Sequence, residues 1–130
     1  MAEITVPYEY DGRQFEGMLV YDDSIAAMRP AVFMQPDWFG VCRHSTDMAL
    51  EVAGTDYVVM MADMYGVGYG EREKTDDELL ASATGVRGDL KLILGCGATA
   101  YEALTAEANK LGLIDAGKMG AIGFCMGGGF

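Results

Sequence analysis

Hydrophobic and polar residues alternate along the beginning of the chain. The alternation covers Glu3–Tyr10 and Arg13–Asp23, both rich in β-favouring residues, and Asp11–Gly12 lies between them. A period of two is typical of a strand, and Asp-Gly between two such runs favours a tight turn. The pattern therefore predicts an antiparallel β-hairpin.

Strand-like and helix-like patterns then follow one another to the end of the sequence. Continuous apolar runs predict buried strands, and helical spacing bounded by caps and glycines predicts helices. The predicted strands are Arg29–Pro36, Asp56–Gly66 and Lys118–Phe124; the predicted helices are Arg43–Gly54, Asp76–Gly85 (capped by Thr75) and Gly88–Gly112. A hairpin followed by strand–helix alternation predicts the α/β class, with a mostly parallel sheet and right-handed crossovers.

Composition narrows the possible partners. The chain has 130 residues, a formal net charge of −11 and three cysteines. The length predicts one domain, and the negative charge disfavours nucleic acid and anionic membranes as partners. The odd number of cysteines and the lack of a signal peptide or apolar span predict a soluble, cytoplasmic protein with reduced thiols. No cofactor and no metal are expected.

The last predicted strand leads into a Gly-x-Cys-x-Gly pattern formed by Gly123, Cys125 and Gly127. This is the spacing of a nucleophile elbow, in which glycines remove side chains that would collide at a sharp strand-to-helix turn. The turn would expose the thiol at a helix N-terminus, which favours the thiolate. An inert core cysteine remains an alternative. A dinucleotide-binding loop is less favoured, because such loops follow the first strand of a βαβ unit.

Three segments resemble the dienelactone hydrolase family of α/β-hydrolases, in the same order along the chain. They are Met34–His44, Ala62–Gly68 and Ala121–Gly128, of which the last resembles the cysteine elbow of the family. The resemblance covers essentially the whole chain. It implies that residues 1–130 form a single, partial α/β-hydrolase domain that is incomplete at its C-terminus, corresponding to about the N-terminal half of a family member.

The resemblance also implies roles for individual residues. Cys125 matches the nucleophile, and the backbone N–H groups of Trp38 and Met126 match the oxyanion hole. Asp37 matches a carboxylate that contacts the resting thiol. The implied reaction is hydrolysis of a small ester or lactone through an acyl-enzyme.

The acid and the histidine of such a mechanism follow the elbow in this superfamily. The only histidine here, His44, precedes the elbow, and we interpret it as a helix-start or loop-bonding residue; a catalytic role is the alternative. We therefore expect the chain alone to be inactive, and to associate with a complementing C-terminal segment or with copies of itself. The alternative function is a non-catalytic module that self-associates through an open sheet edge; a nucleotide-binding domain is a weaker third interpretation.

Other candidate residues have simpler interpretations. For Asp63 and Tyr65, hydrogen bonds within the loop are the favoured interpretation, and a position lining a ligand pocket is the alternative. Trp38 and Phe39 fit an apolar substrate floor and ordinary core packing equally well. The segment 66–70 lacks the lysine of a phosphate-binding loop, so a flexible surface loop is favoured. Cys42 and His44 lack further ligands nearby for a metal.

Overall fold

The computed structural model describes residues 1–123. The strands that it contains are β1 (Ala2–Tyr10), β2 (Arg13–Tyr21), β3 (Arg29–Gln35), β4 (Val58–Met61) and β5 (Ile114–Gly123). The α-helices of this range are α1 (Arg43–Ala53), α2 (Asp76–Arg87) and α3 (Leu90–Lys110), and a short 3₁₀ turn covers Tyr69–Glu71. The α/β class predicted from the sequence is confirmed.

The strands form one mixed sheet in the order β1-β2-β4-β3-β5. The hairpin β1–β2 and the pair β2–β4 are antiparallel, whereas β3 is parallel to both β4 and β5. Asp11 and Gly12 have φ angles of 52° and 76°. Two consecutive positive φ angles are typical of a type I′ turn, which suits the twist of a hairpin. The predicted hairpin is therefore confirmed together with its turn.

Helices cover both faces of the sheet, and a separate apolar core lies on each. Helix α3 packs on the larger core, which contains Phe15, Leu19 and Met60. Helix α1 packs on the smaller core, which contains Met34 and Met61. Residues of β3 and β4 alternate between the two cores, so these central strands are buried on both faces.

Side chains cap two of the predicted helices. The hydroxyl of Thr75 accepts a hydrogen bond of 3.2 Å from the backbone N–H of Glu78, as its spacing predicted. The carboxylate of Asp89 accepts one of 3.0 Å from Leu92 N–H at the start of α3. Each cap satisfies a backbone donor that has no partner within the first helical turn.

The largest differences from the predicted strand boundaries are the end of β4 and the start of β5. Strand β4 ends at Met61 rather than at Gly66, because the side chain of Asp63 takes up the N–H groups of the next residues. Strand β5 begins at Ile114 rather than at Lys118, with an irregularity in its pairing between Arg29 and Ala31 of β3. Within the described part of the chain, no helix combines the length and the apolar character needed to cross a membrane.

Candidate active site at the carboxyl edge of the sheet

The carboxyl ends of β3, β4 and β5 lie side by side at one edge of the sheet. Gln35, the last residue of β3, is paired with Gly123, the last residue of β5, and Met34 is paired with Met61 of β4. The loops that leave these strands therefore begin next to one another. This edge is where open α/β sheets bind ligands.

Asp37 organises the loop that follows β3. Its Oδ1 accepts a hydrogen bond of 3.0 Å from Phe39 N–H, and its backbone carbonyl accepts one of 3.0 Å from Gly40 N–H. The other carboxylate oxygen, Oδ2, lies 3.7 Å from Nε2 of His44 in the first turn of α1. The imidazole also packs edge-on against the Phe39 ring, so His44 contacts the loop from an exposed position.

Trp38 presents its carbonyl and its N–H differently. The carbonyl oxygen accepts a hydrogen bond of 2.8 Å from the hydroxyl of Tyr69. Among residues 1–123, no acceptor takes up the backbone N–H of Trp38. The Trp38 side chain is half-buried and that of Phe39 is exposed, and neither belongs to the two cores. Their rings pack edge to face, with centroids 6.2 Å apart.

Tyr69 supports this loop, although no motif in the sequence indicated a role for it. Its buried ring stacks on Tyr65, with centroids 4.3 Å apart. A Cβ on Gly40 would lie 2.9 Å from the Tyr69 ring, and Gly40 has a φ of 71°, so both the contact and the backbone angle require glycine. The glycine-rich segment therefore leads into the 3₁₀ turn, and its tyrosine is buried.

Asp63 acts as a structural carboxylate, as the sequence predicted. One oxygen accepts a hydrogen bond of 3.0 Å from Glu16 N–H of β2. The other accepts bonds of 2.9 and 3.0 Å from the N–H groups of Tyr65 and Gly66. The side chain is buried, and these donors hold the loop after β4 against the hairpin.

The backbone of Asp63 is held by a buried phenol from β1. The hydroxyl of Tyr8 donates to the carbonyl of Asp63 at 2.6 Å and accepts from its N–H at 2.7 Å. The thiol of Cys96 on α3 also faces that carbonyl, at 3.7 Å. Burial, and then the charge of Asp63, raise the pKa of Tyr8 and raise the pKa of Cys96 to about 12. Cys96 is therefore a protonated core thiol at neutral pH.

Two further sequence predictions concern the elbow residues and a possible metal site. Cys125 and Met126 lie outside the described residues. Cys42 immediately precedes α1 and His44 lies in its first turn. Within residues 1–123, no cluster of three or more His, Cys, Asp or Glu side chains could hold a metal ion.

Comparisons with known proteins agree with this geometry. The family model described as "Dienelactone hydrolase family" matches residues 15–130. The solved structure named "m3DLH" is 29% identical, with a TM-score of 0.79. A dienelactone hydrolase-like promiscuous phosphotriesterase from metagenomic libraries is 27% identical, with a TM-score of 0.80. No curated protein matches the chain.

The two solved structures are about twice as long as this chain. In each comparison the alignment covers 97% of this chain and 50% of the other. The TM-scores show that the fold of this chain matches half of each of these two structures. From the family match over residues 15–130 we conclude that the chain belongs to the dienelactone hydrolase family.

Proposed function

We propose that this chain is the nucleophile-bearing half of a dienelactone hydrolase-type enzyme that hydrolyses small esters or lactones, with Cys125 as the nucleophile. The observation that carries the proposal is the pairing of Gln35 with Gly123. Asp37 follows Gln35 by two residues, and Cys125 follows Gly123 by two residues. The two segments follow neighbouring parallel strands that end at the same level of the sheet. This supports a position of the Cys125 thiol close to the Asp37–Trp38 loop.

The loop after β3 has the features that acyl transfer requires. The N–H of Trp38 has no acceptor within the described chain, so it is available to an oxyanion. The Tyr69 hydroxyl donates a hydrogen bond to the carbonyl oxygen of Trp38 itself, which limits rotation of the loop. Backbone donors that are fixed before the reaction stabilise the developing negative charge most effectively.

The reaction proceeds through a thioester. The Cys125 thiolate attacks the carbonyl carbon, forming the S–C bond, while the carbonyl oxygen becomes an oxyanion bound by the N–H groups of Trp38 and Met126. The intermediate collapses, the C–O bond breaks, and the leaving alkoxide takes a proton from water to become the alcohol. Water then adds to the thioester, the C–S bond breaks, and the acid and the free thiol are released.

In α/β-hydrolases the acid and the histidine follow the nucleophile along the chain, so this mechanism takes them from the part of such an enzyme that residues 1–130 do not cover. Without a general base, deacylation is slow, so the chain alone accumulates acyl-enzyme instead of turning over. Asp37 is the carboxylate that contacts the resting thiol. Its other contacts, with Phe39 N–H and His44, restrain the side chain on the loop.

Thiol labelling tests the proposal directly. The folded protein is treated with iodoacetamide over a pH series, and the labelled peptides are quantified by mass spectrometry. We expect Cys125 to react fastest and to retain reactivity at about pH 7, since a catalytic cysteine is accessible and reacts as the thiolate. Cys96 stays unlabelled at this pH, because its pKa is raised to about 12 and its thiolate forms only as the pH approaches that value.

A second arm follows acylation by p-nitrophenyl acetate. We expect one acetyl group per chain on Cys125, no sustained turnover, and no acylation in Cys125→Ala. Cys42→Ser is the matched control, because Cys42 is a half-buried thiol outside the proposed site and its loss should leave acylation unchanged. Labelling of Cys125 no faster than that of Cys96 would favour the non-catalytic, self-associating module.

A further inference from the structure

The side chain of Lys74 folds back onto the 3₁₀ turn Tyr69–Glu71. Its ammonium group donates hydrogen bonds to the backbone carbonyl of Tyr69 and, at 2.8 Å, to that of Arg72. The same group lies over the Tyr69 ring, 4.2 Å from the ring centroid. Carbonyls at the end of a helical turn lack partners within it, and a lysine that binds them stabilises that end. One cation thus holds both the backbone and the ring of the residue whose hydroxyl binds the Trp38 carbonyl.

The turn is in direct backbone contact with the loop after β3. A Cβ on Gly70 would collide with the backbone carbonyl of Val41, so the two segments meet with no side chain between them. On the loop side, Gly40 leaves the space that the Tyr69 ring occupies. Because protein interiors are closely packed, a shift of the turn would be transmitted to the loop.

The charge of Lys74 is directed at the turn and not at a carboxylate. Lys74 is half-buried and lines a cavity of about 350 Å³ together with Phe39 and Leu79. Glu71 and Glu73 are close to it in the sequence, yet Lys74 forms no ion pair within residues 1–123. A cation that is partly removed from water interacts more strongly with an aromatic face.

We propose that Lys74 is a positioning residue for the loop 37–40. Its ammonium group fixes Tyr69, which fixes the Trp38 carbonyl and thereby directs the Trp38 N–H at the oxyanion. This inference rests on the proposed function, because the direction of that N–H matters only if Cys125 is acylated. Backbone donors act only within a narrow range of distances from the developing charge, so a small displacement of the loop is costly.

Two reactions of the Cys125 thiol separate positioning from general damage. Acylation by p-nitrophenyl acetate places negative charge on the carbonyl oxygen. Alkylation by iodoacetamide displaces iodide from a saturated carbon and forms no oxyanion. We expect Lys74→Met to slow acylation by about tenfold or more and to change alkylation by less than about twofold. Mass spectrometry of the Cys125 peptide measures both rates.

Two further lysine variants serve as controls. Lys74→Arg keeps a cation with several donors, so it should recover most of the acylation rate. Lys91→Met, at an exposed lysine on α3, should leave both reactions unchanged. Cys96 should stay unlabelled by iodoacetamide in every variant, since it is buried in the folded core.

A double variant tests whether Lys74 acts through Tyr69. Tyr69→Phe removes the hydrogen bond to Trp38 and keeps the ring. Adding Lys74→Met to Tyr69→Phe should slow acylation by no more than about twofold further, because residues that act through one contact are not additive.

Three results would overturn the role of Lys74 and leave the proposed function in place. They are acylation of Lys74→Met at the rate of the parent, an equal loss of both reactions, and fully multiplicative effects in the double variant. A parent chain that is not acylated on Cys125 would instead overturn the proposed function, and the role of Lys74 with it.

Discussion

Tyr69 determines the position of the loop that carries Trp38, although 31 residues separate the two. Its hydroxyl holds the Trp38 carbonyl, and its ring packs on the surface that only glycine at position 40 leaves open. The loop is therefore positioned by a side chain from the segment after β4. The oxyanion-hole role proposed for Trp38 depends on this contact.

Replacement of Tyr69 by phenylalanine tests the contact. We expect Tyr69→Phe to lower the free energy of unfolding by about 1 kcal/mol, the usual net value of one hydrogen bond. Trp38 is the only tryptophan of the chain, so its fluorescence should change in the folded state as the loop loosens. Urea titration followed by circular dichroism and by tryptophan emission measures both effects. Tyr57→Phe, at an exposed tyrosine, is the control and should leave both unchanged; identical emission in the two variants would contradict the positioning role of Tyr69.

Some of the site residues could be predicted from the sequence and others could not. Asp63 follows a buried strand, where a carboxylate commonly bonds the next backbone N–H groups, so its role was predictable. Tyr69 lies in a glycine-rich segment with no periodicity, and nothing local identifies a partner that far away. The resemblance identified Trp38 and Asp37, but the contact between Asp37 and His44 depends on where α1 begins relative to the loop.

At the scale of single elements, the close packing of β2 against its neighbours is visible at Gly17. A Cβ at this position would lie 2.7 Å from the carbonyl oxygen of Met61 and 3.3 Å from Leu104. The nearer atom belongs to the backbone of β4, which cannot move aside as a side-chain end can. Glycine at this position therefore allows β2, β4 and α3 to meet.

Gly17→Ala should destabilise the protein by about 1–3 kcal/mol, the usual cost of overpacking a core. Gly85→Ala is the control, since Gly85 lies in α2 with open space around its Cα, and it should stabilise the fold by about 0.5–1 kcal/mol. Urea unfolding of both variants measures these changes. A neutral Gly17→Ala would mean that β2 and β4 separate more easily than their packing implies.

The type of each element was predictable, because a helix or a strand produces a periodic pattern over many residues. The boundaries of the elements were less predictable. The start and end of α1 agree with the sequence to within one residue, because Gly54 ends the helix. Strand β5 begins earlier than predicted, because its first residue pairs with Arg29 despite the glycine at position 117. That pairing is a tertiary contact, which local pattern does not encode.

At the scale of the whole molecule, the protection of backbone amides from hydrogen exchange should decline across the sheet from β4 to β5. Strand β4 lies between β2 and β3 and all of its residues are buried, whereas residues 117–122 of β5 are exposed. Exchange rates follow local opening, which is easiest where a strand has one neighbour and little cover.

Hydrogen exchange of the isolated chain measures this gradient. We expect the amides of β4 to exchange at the rate of global unfolding, and those of β5 to exchange faster by about a hundredfold or more. Met60 and Ala121 provide a convenient pair, since both are paired with Phe33 of β3. Equal protection of the two strands would indicate that the outer edge of β5 is covered in solution.

The fold class followed from the order of strands and helices, and the family followed from three short segments. The strand order itself required the structure, because the sequence does not state that β4 lies between the hairpin and β3. That arrangement brings Asp63 to the hairpin and leaves β5 beside β3.

The double hydrogen bond of Tyr8 has a consequence for how this scaffold tolerates change. A single phenol satisfies both backbone groups of Asp63 at the point where β4 has ended. Because burial raises the pKa of Tyr8, the hydroxyl keeps its proton throughout the physiological range. The backbone at the end of β4 is thus tied to β1 without a contribution from the loop after Gly66, so insertions into that loop should leave this corner of the sheet intact.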